Sequence, residues 1–395
     1  MAEEANFVAR WLGHIRALAV DIGPRGSTTD GELRGAEYCQ TALREIGLEP
    51  VTETFLSARS IFQPHLIASS AMLAAFILYP LAGRWSAVVA AVLSSMAIAS
   101  ELMELSFRDD LLRRIVPKTP SQNVIATIGP SAEHKQDIIL IGHVDTQRTP
   151  IIFRTRRWIA AYRVFATTAI AAFLAEAVLY ILGAITSAAW IWPVTIPSAI
   201  CAALLMAMCV QADTTPYTAG ANDNASAVGL VLALAHRIRA MPLPHSPVWF
   251  ACTGCEEVYL YGAIDLFRRH KEELHQPVTV AFELMGCAGP AWLVQEGIVL
   301  PFRSTPRLIE IAEQVSASHP ELGAYATRIS GGNTEMAAAL RVGLPAITLM
   351  GVTREGEAPH VHTIGDTFDK IDEAVLHKSA DFVWAYLGAL DAAAT

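Results

Sequence analysis

Six residues in five places carry groups that could share one metal centre: His143 in Gly142-His143-Val144-Asp145, Asp223 in Gly220-Ala221-Asn222-Asp223-Asn224, the pair Glu256-Glu257, Glu283, and His362. Histidine and carboxylate donors suit zinc, at about 2.0–2.2 Å. A carboxylate shared by two ions about 3.5–4 Å apart makes a two-metal site, which holds an attacking hydroxide and polarises the carbonyl it attacks. A further carboxylate must then take a proton from water and pass it to the leaving amine. Singly these signals are weak: H-x-D is more often structural, Glu-Glu is usually a solvated helix start, and His362 could be an ordinary loop histidine. Glu283 is less ordinary, because an acid within Val280-Ala281-Phe282-Glu283-Leu284-Met285-Gly286 needs a partner. Their joint occurrence, in order and each with its own context, carries the weight.

The elements that must position these groups alternate. Strands are expected at 49–55, 123–128, 137–142, 248–252, 278–282 and 345–350, and helices at 33–47, 225–240, 306–318, 334–342 and 371–391. Strands alternating with helices imply an α/β fold: a three-layer α/β/α sandwich around a mixed, mostly parallel sheet. The polar groups fall where strands end, where such folds place their sites. No internal repeat is present.

The 395-residue chain is 53% hydrophobic and only 17% charged, with a mean hydropathy of +0.36. Ordinary soluble domains carry about a quarter charged residues. The apolar excess collects in two blocks, near 62–106 and 158–210. Runs 66–83 and 85–100 contain no charge and flank Arg84, which reads as a helical hairpin. The second block reads as helices at 158–182 and 190–210, with Trp158, Trp190 and Trp192 suited to a membrane interface. Each run is near the length of a membrane span, about 17–25 residues. Arg163 can snorkel, and Glu176 should face the bundle interior. A buried helical subdomain is the competing reading. Arg59, Arg108, Arg113, Arg114, Lys118, Arg154, Arg156 and Arg157 flank the blocks on one side and only Arg84 lies on the other. That places the main domain in the cytoplasm. The acidic start, Met1-Ala2-Glu3-Glu4-Ala5, lacks the apolar core of a signal peptide. The net charge of −9 and the lack of a basic tract argue against a nucleic-acid partner. The six cysteines form no spaced framework. Cys252 and Cys255 are either an apolar strand end or a redox or zinc pair.

With these residues in view, the chain outside the two blocks resembles the zinc exopeptidases of metallopeptidase family M28, which includes di-zinc aminopeptidases, glutamate carboxypeptidase and glutaminyl cyclase. Ile141-Gly142-His143-Val144-Asp145 resembles the first ligand motif, and Gly220-Ala221-Asn222-Asp223-Asn224-Ala225-Ser226 the bridging-aspartate motif. Glu256-Glu257 resembles the base-and-ligand pair, and His362-Thr363-Ile364-Gly365-Asp366-Thr367 the closing histidine motif. Gly343-Leu344-Pro345-Ala346-Ile347 resembles a strand lead-in, with Thr334-Glu335 where the family often has Ser-Asp. The resemblance implies one zinc on His143, Asp223 and Glu283 and a second on Asp223, Glu257 and His362. It implies Glu256 as general base, Asp145 as the carboxylate orienting His143, and a cis peptide after Asp223. Glu283 stands where many members have Asp. His360 is either a substrate contact or a solvated loop residue, and Cys255, next to the base, could ease oxidation or metal loss.

The expectation is a membrane-anchored di-zinc exopeptidase, an aminopeptidase before a carboxypeptidase, amide deacylase or glutaminyl-cyclase-like enzyme. A non-catalytic membrane scaffold on a peptidase fold is the rival from another class. Two zinc ions per chain are expected, with another divalent metal as the alternative. The expected partners are a peptide or amino-acid amide, the lipid bilayer and a second copy in a homodimer. One catalytic domain is expected from 1–60, 107–157 and 211–395, with transmembrane hairpins at 61–106 and 158–210. That makes four transmembrane helices and a domain facing the cytoplasm. Residues 287–330, with Trp292 and Phe302, are expected to supply part of the specificity pocket.

Overall fold

The computed structural model describes residues 2–109 and 111–394, so Met1 of the acidic start lies outside the described residues. Two compact units form. One comprises Met1–Arg59, Lys118–Gln147 and Tyr217–Thr395, the other Ser60–Pro117 and Arg148–Pro216.

The first unit is built on a nine-stranded sheet. Its strands are β1 (Val51–Ala58), β2 (Lys118–Ile128), β3 (Ile138–His143), β4 (Val248–Thr253), β5 (Val278–Glu283), β6 (Ala291–Glu296), β7 (Phe302–Arg303), β8 (Tyr325–Arg328) and β9 (Ala346–Met350). They run in the order β1-β2-β4-β3-β5-β9-β6-β7, with β8 beside β6. The central four, β4-β3-β5-β9, are parallel, and β1, β2 and β6 join the flanks antiparallel. Every residue of β3, β5 and β9 is buried. That is why these strands read as unbroken apolar runs: helices cover both faces of a parallel centre. Helices Asp30–Glu45, Ser226–Ala240, Pro306–Ser318 and Glu373–Ala392 share the main core with one sheet face. Tyr261–His270 and Glu335–Arg341 pack against the rest of the sheet.

Beyond the expected elements of this unit stand β6 to β8, the helix Tyr261–His270 and an amino-terminal helix, Ala2–Arg16. Val8, Trp11 and Ile15 of that helix are fully buried at helical spacing. Trp11 Nε1 donates to the Ser226 carbonyl at 2.6 Å, pinning the start of Ser226–Ala240. Trp292 does not line a pocket: it is buried in the core, stacked on Phe382 with ring centroids 6.0 Å apart.

The second unit is helical. Three of its helices, Gly83–Leu105, Arg156–Thr186 and Ile196–Asp213, are long and apolar enough to cross a membrane, and Phe62–Leu78 is a shorter apolar helix of 17 residues. The two later helices differ from the expected 158–182 and 190–210. The first continues to Thr186, where Ser187 caps it in the left-handed conformation, and a short Ile191–Val194 turn precedes the second. Pro197 falls in the first turn of Ile196–Asp213, where its missing N–H costs nothing. Ala68, Met72, Ala97, Ala169, Phe173 and Ala202 form the shared interior of this unit. Small residues let helix backbones approach closely, as in membrane bundles. Val92, Val164, Val178 and Ile200 face outward. Glu176 is fully buried, as its place among apolar neighbours requires.

Candidate metal centre

His143 and Glu283 are the last residues of the paired parallel strands β3 and β5. Glu256 and Glu257 lie in the turn after β4, Asp223 in the loop before Ser226–Ala240, and His362 in the loop after β9. All six converge. His143 Nε2 lies 3.5 Å from Asp223 Oδ1, 3.6 Å from Glu283 Oε2 and 3.8 Å from Glu256 Oε2. His362 Nε2 lies 3.2 Å from Asp223 Oδ2 and 3.3 Å from Glu257 Oε2. The two oxygens of Asp223 thus face two different histidines, each with its own glutamate. Candidate donor atoms of His143, Asp223 and Glu257 all lie within 4.8 Å of one another, across both sets.

The donor set fits a metal. Nitrogen and carboxylate oxygen are zinc donors, and Glu257 Oε1 is buried with no hydrogen-bond partner among the described residues. The electrostatics show the same surplus of negative charge. Burial would lower the His143 pKa, but the Glu256 and Glu283 carboxylates hold it well above the usual imidazole value. Burial likewise opposes protonation of His362, yet Glu257 and Asp223 push it up to about 10. Burial pushes Glu283 up to about 8 against the pull of His143. Glu256 is raised well above the carboxylate range by burial, with His143 opposing and Glu257 and Glu283 adding to the rise.

The backbone around these ligands is held by buried polar groups. Asp366 Oδ1 and Oδ2 accept the N–H groups of Asn222 and Asp223 at 2.7 and 3.0 Å. The Asp223-Asn224 peptide is cis. Asn224 Nδ2 donates to Glu283 Oε2 at 2.8 Å. Gln147 Nε2 donates to Glu257 Oε2 at 3.1 Å. Asp145 meets His143 through both its carbonyl and its carboxylate. His143 Nδ1 lies closer to the Asp145 carbonyl, at 3.1 Å, than to its carboxylate, at 3.5 Å. The Asp145 carboxylate also accepts the N–H groups of Glu256 and Glu257 at 3.0 and 3.1 Å, and the Ser27 hydroxyl at 2.7 Å.

Arg25 was not singled out from sequence. Arg25 is fully buried. It donates to the carbonyls of Val144, Leu18, Gly23, Ala219 and Gly220 at 2.7–2.9 Å. It thereby ties the loop after His143 to the loop before Asp223. Glu335 is buried beside Thr253, close enough to raise Glu256 and Glu283. His360 is exposed. Cys252 and Cys255 are buried free thiols.

Residues 204–387 match the family model described as Peptidase family M28. Over that stretch the chain is similar to the M28 peptidases. The matched stretch holds Asp223, Glu256, Glu257, Glu283 and His362, while His143 precedes it. The fold is shared with solved structures. A glutaminyl cyclase from Fimbriiglobus ruber is 16% identical, with a TM-score of 0.57, 97% of this chain covered and 95% of that one. The zinc aminopeptidase BSAP from Bacillus subtilis is 13% identical, with a TM-score of 0.57 and coverage of 96% and 94%. A leucine aminopeptidase precursor from Bacteroides thetaiotaomicron is also 13% identical, at a TM-score of 0.57 and coverage of 96% of each chain. At these identities the likeness is one of fold. No curated protein matches the chain. The match to this family model, together with this donor set, supports a metallohydrolase.

Proposed function

We propose that this M28 protein is a membrane-anchored di-zinc aminopeptidase. One observation carries the reading: Asp223 turns one oxygen to His143 and the other to His362, with a glutamate beside each histidine. His143, Asp223 and Glu283 would hold one zinc, and Asp223, Glu257 and His362 the other. The zinc pair, when bound, supplies Lewis acidity toward the scissile carbonyl and lowers the pKa of water.

The chain's own residues do the rest. Glu256 takes the proton from the attacking water and delivers it to the departing amine, a task favoured by its raised pKa. Arg25 acts electrostatically on Asp145, Asp223 and Asp366, but its guanidinium engages five backbone carbonyls. It is therefore not offered to a substrate carboxylate, which favours an aminopeptidase over a carboxypeptidase. The apolar helices anchor the protein. We read them as four spans, with Phe62–Leu78 at the short end of the spanning range, and the arginines flanking them put the peptidase domain in the cytoplasm.

The test is Glu256→Gln. Turnover of aminoacyl amides should fall at least about a thousandfold, within the general acid–base range of roughly 10²–10⁴, with two zinc ions retained by elemental analysis. Retained turnover in zinc-replete protein refutes the base. Glutaminyl peptides, assayed in parallel, separate peptidase from cyclase chemistry.

A further inference from the structure

Glu256 and Glu257 are adjacent, yet Glu256 faces His143 and Glu257 faces His362. An extended strand would send adjacent side chains to opposite faces, so the turn carrying them must be bent and held. It is held by its own N–H groups. Gly254 N–H donates to Asn123 Oδ1 at 3.2 Å, and Cys255 N–H to Glu32 Oε1 at 2.8 Å. Glu256 and Glu257 N–H donate to the two oxygens of Asp145. Each of these four successive amides thus has its own side-chain oxygen. Cys255 sits at φ 55°, a left-handed conformation that a residue with a side chain keeps only when its surroundings over-determine it. The Glu32 carboxylate supplies that constraint, taking the Cys255 amide and approaching its Sγ at 3.3 Å.

Glu32 belongs to the first turn of helix Asp30–Glu45, outside the family-matched stretch. An ordinary acid there caps its own helix, and Oε2 does so, accepting the Thr28 N–H at 2.8 Å and the Ser121 hydroxyl at 2.9 Å. Oε1 points away from that cap, at the turn of the metal centre. The side chain is 1% exposed, so water does not stand in for it.

We propose that Glu32 is a positioning residue of the metal centre: through the Cys255 amide it fixes the turn that presents Glu257 to zinc and Glu256 to the substrate. This rests on the zinc reading above. The experiment uses the full chain in detergent, with zinc affinity measured by chelator competition and the site's shape by the visible spectrum of the cobalt-loaded protein. Glu32→Ala should weaken zinc binding roughly 10–100-fold, as loss of an outer partner of a ligand does, and shift the cobalt bands. Glu32→Gln, which keeps one acceptor for Cys255, should fall between Glu32→Ala and wild type. The melting midpoint of zinc-free protein is recorded alongside. A helix-capping role alone would lower that midpoint in both variants and leave zinc affinity and the cobalt spectrum unchanged, which overturns the proposal. If Glu32→Ala does not fold, Glu32→Gln decides: several-fold weaker zinc binding supports the proposal and unchanged binding overturns it. Wild type that binds no zinc overturns the zinc reading and this proposal with it. Wild type that binds zinc with both variants unchanged overturns the proposal alone.

Discussion

Replacing Arg25 by lysine keeps the charge but not the fork. The guanidinium serves five carbonyls, at Leu18, Gly23, Val144, Ala219 and Gly220. An ammonium has three donors on one atom, so at least two of those carbonyls lose the bond this buried side chain makes to them. A hydrogen bond to a charged group contributes about 1.5–3 kcal/mol, so two lost bonds cost roughly 3–6 kcal/mol, a large share of the ~5–15 kcal/mol that holds a domain together. At about 2–4 °C per kcal/mol for a domain of 150–250 residues, the zinc-free midpoint should fall on the order of 10 °C. The damage should also be local. Val144 adjoins His143, and Gly220 precedes Asp223, so hydrogen exchange should quicken at 143–147 and 217–223 before it does in β5. The assay is a melt of Arg25→Lys in detergent, with exchange measured on the same sample. A midpoint within about 2 °C of wild type, with unchanged exchange in both loops, would refute the argument that this guanidinium ties the two ligand loops together.

Three further outcomes are expected. Gly254→Ala should abolish activity and lower the melting point, because its Cβ would meet the Gln122 carbonyl at 2.8 Å and Ser121 Oγ at 2.7 Å. An active, fully stable variant would show that the turn can shift freely. Zinc affinity should rise with pH. His362 is held up to about 10 in the folded chain against 6.5 ordinarily, so its proton stabilises the zinc-free fold below pH 6.5, and that contribution fades as pH climbs through 10. Zinc must displace that proton, so calorimetry in buffers of different ionisation enthalpy should show protons released on binding. Release of none would mean that His362 is not a ligand. Replacing 60–117 and 148–216 with short turns should leave a detergent-free protein that still binds zinc, as size-exclusion chromatography and elemental analysis would show. Aggregation of that chain in every linker length would argue that the sheet needs the inserted unit.

The candidate ligands were legible because each sits where chemistry and local pattern coincide. His143 and Glu283 end apolar strands, and Glu256-Glu257 follow one. The partners that hold them were not legible. Arg25 and Glu32 act on backbone carbonyls and amides more than a hundred positions away, and nothing in Gly23-Pro24-Arg25-Gly26-Ser27 distinguishes a buried guanidinium from a solvated turn. Asp145 shows the limit in one residue. The sequence marked this side chain, but not that its carboxylate also accepts the Glu256 and Glu257 amides. The helix Ala2–Arg16 did have a signal, the spacing of Val8, Trp11 and Ile15. β6 to β8 did not: β7 has two residues and β8 is irregular in register with β6.

The inserted segments are where the sequence argument and the structure meet most closely. Two ligand motifs some eighty positions apart can share a metal only if the chain between them returns to where it left. In the first unit it does: the Thr218 N–H donates to the Gln147 carbonyl at 2.9 Å, so the last residue before the longer insertion and the second residue after it are hydrogen-bonded. The shorter insertion leaves and returns in the same way, since Ala58 of β1 is the ladder partner of Lys118 of β2. Each insertion therefore occupies the place of a tight turn in the peptidase fold. A turn can be lengthened at little entropic cost, because loop closure grows only with the logarithm of length. What cannot change is the register on either side, and there the constraint is Arg25, bonded at once to Val144 before the insertion and to Gly220 after it. The apolar helices could enter this chain without moving the candidate metal ligands because the fixed points lie in the first unit on both sides of the break.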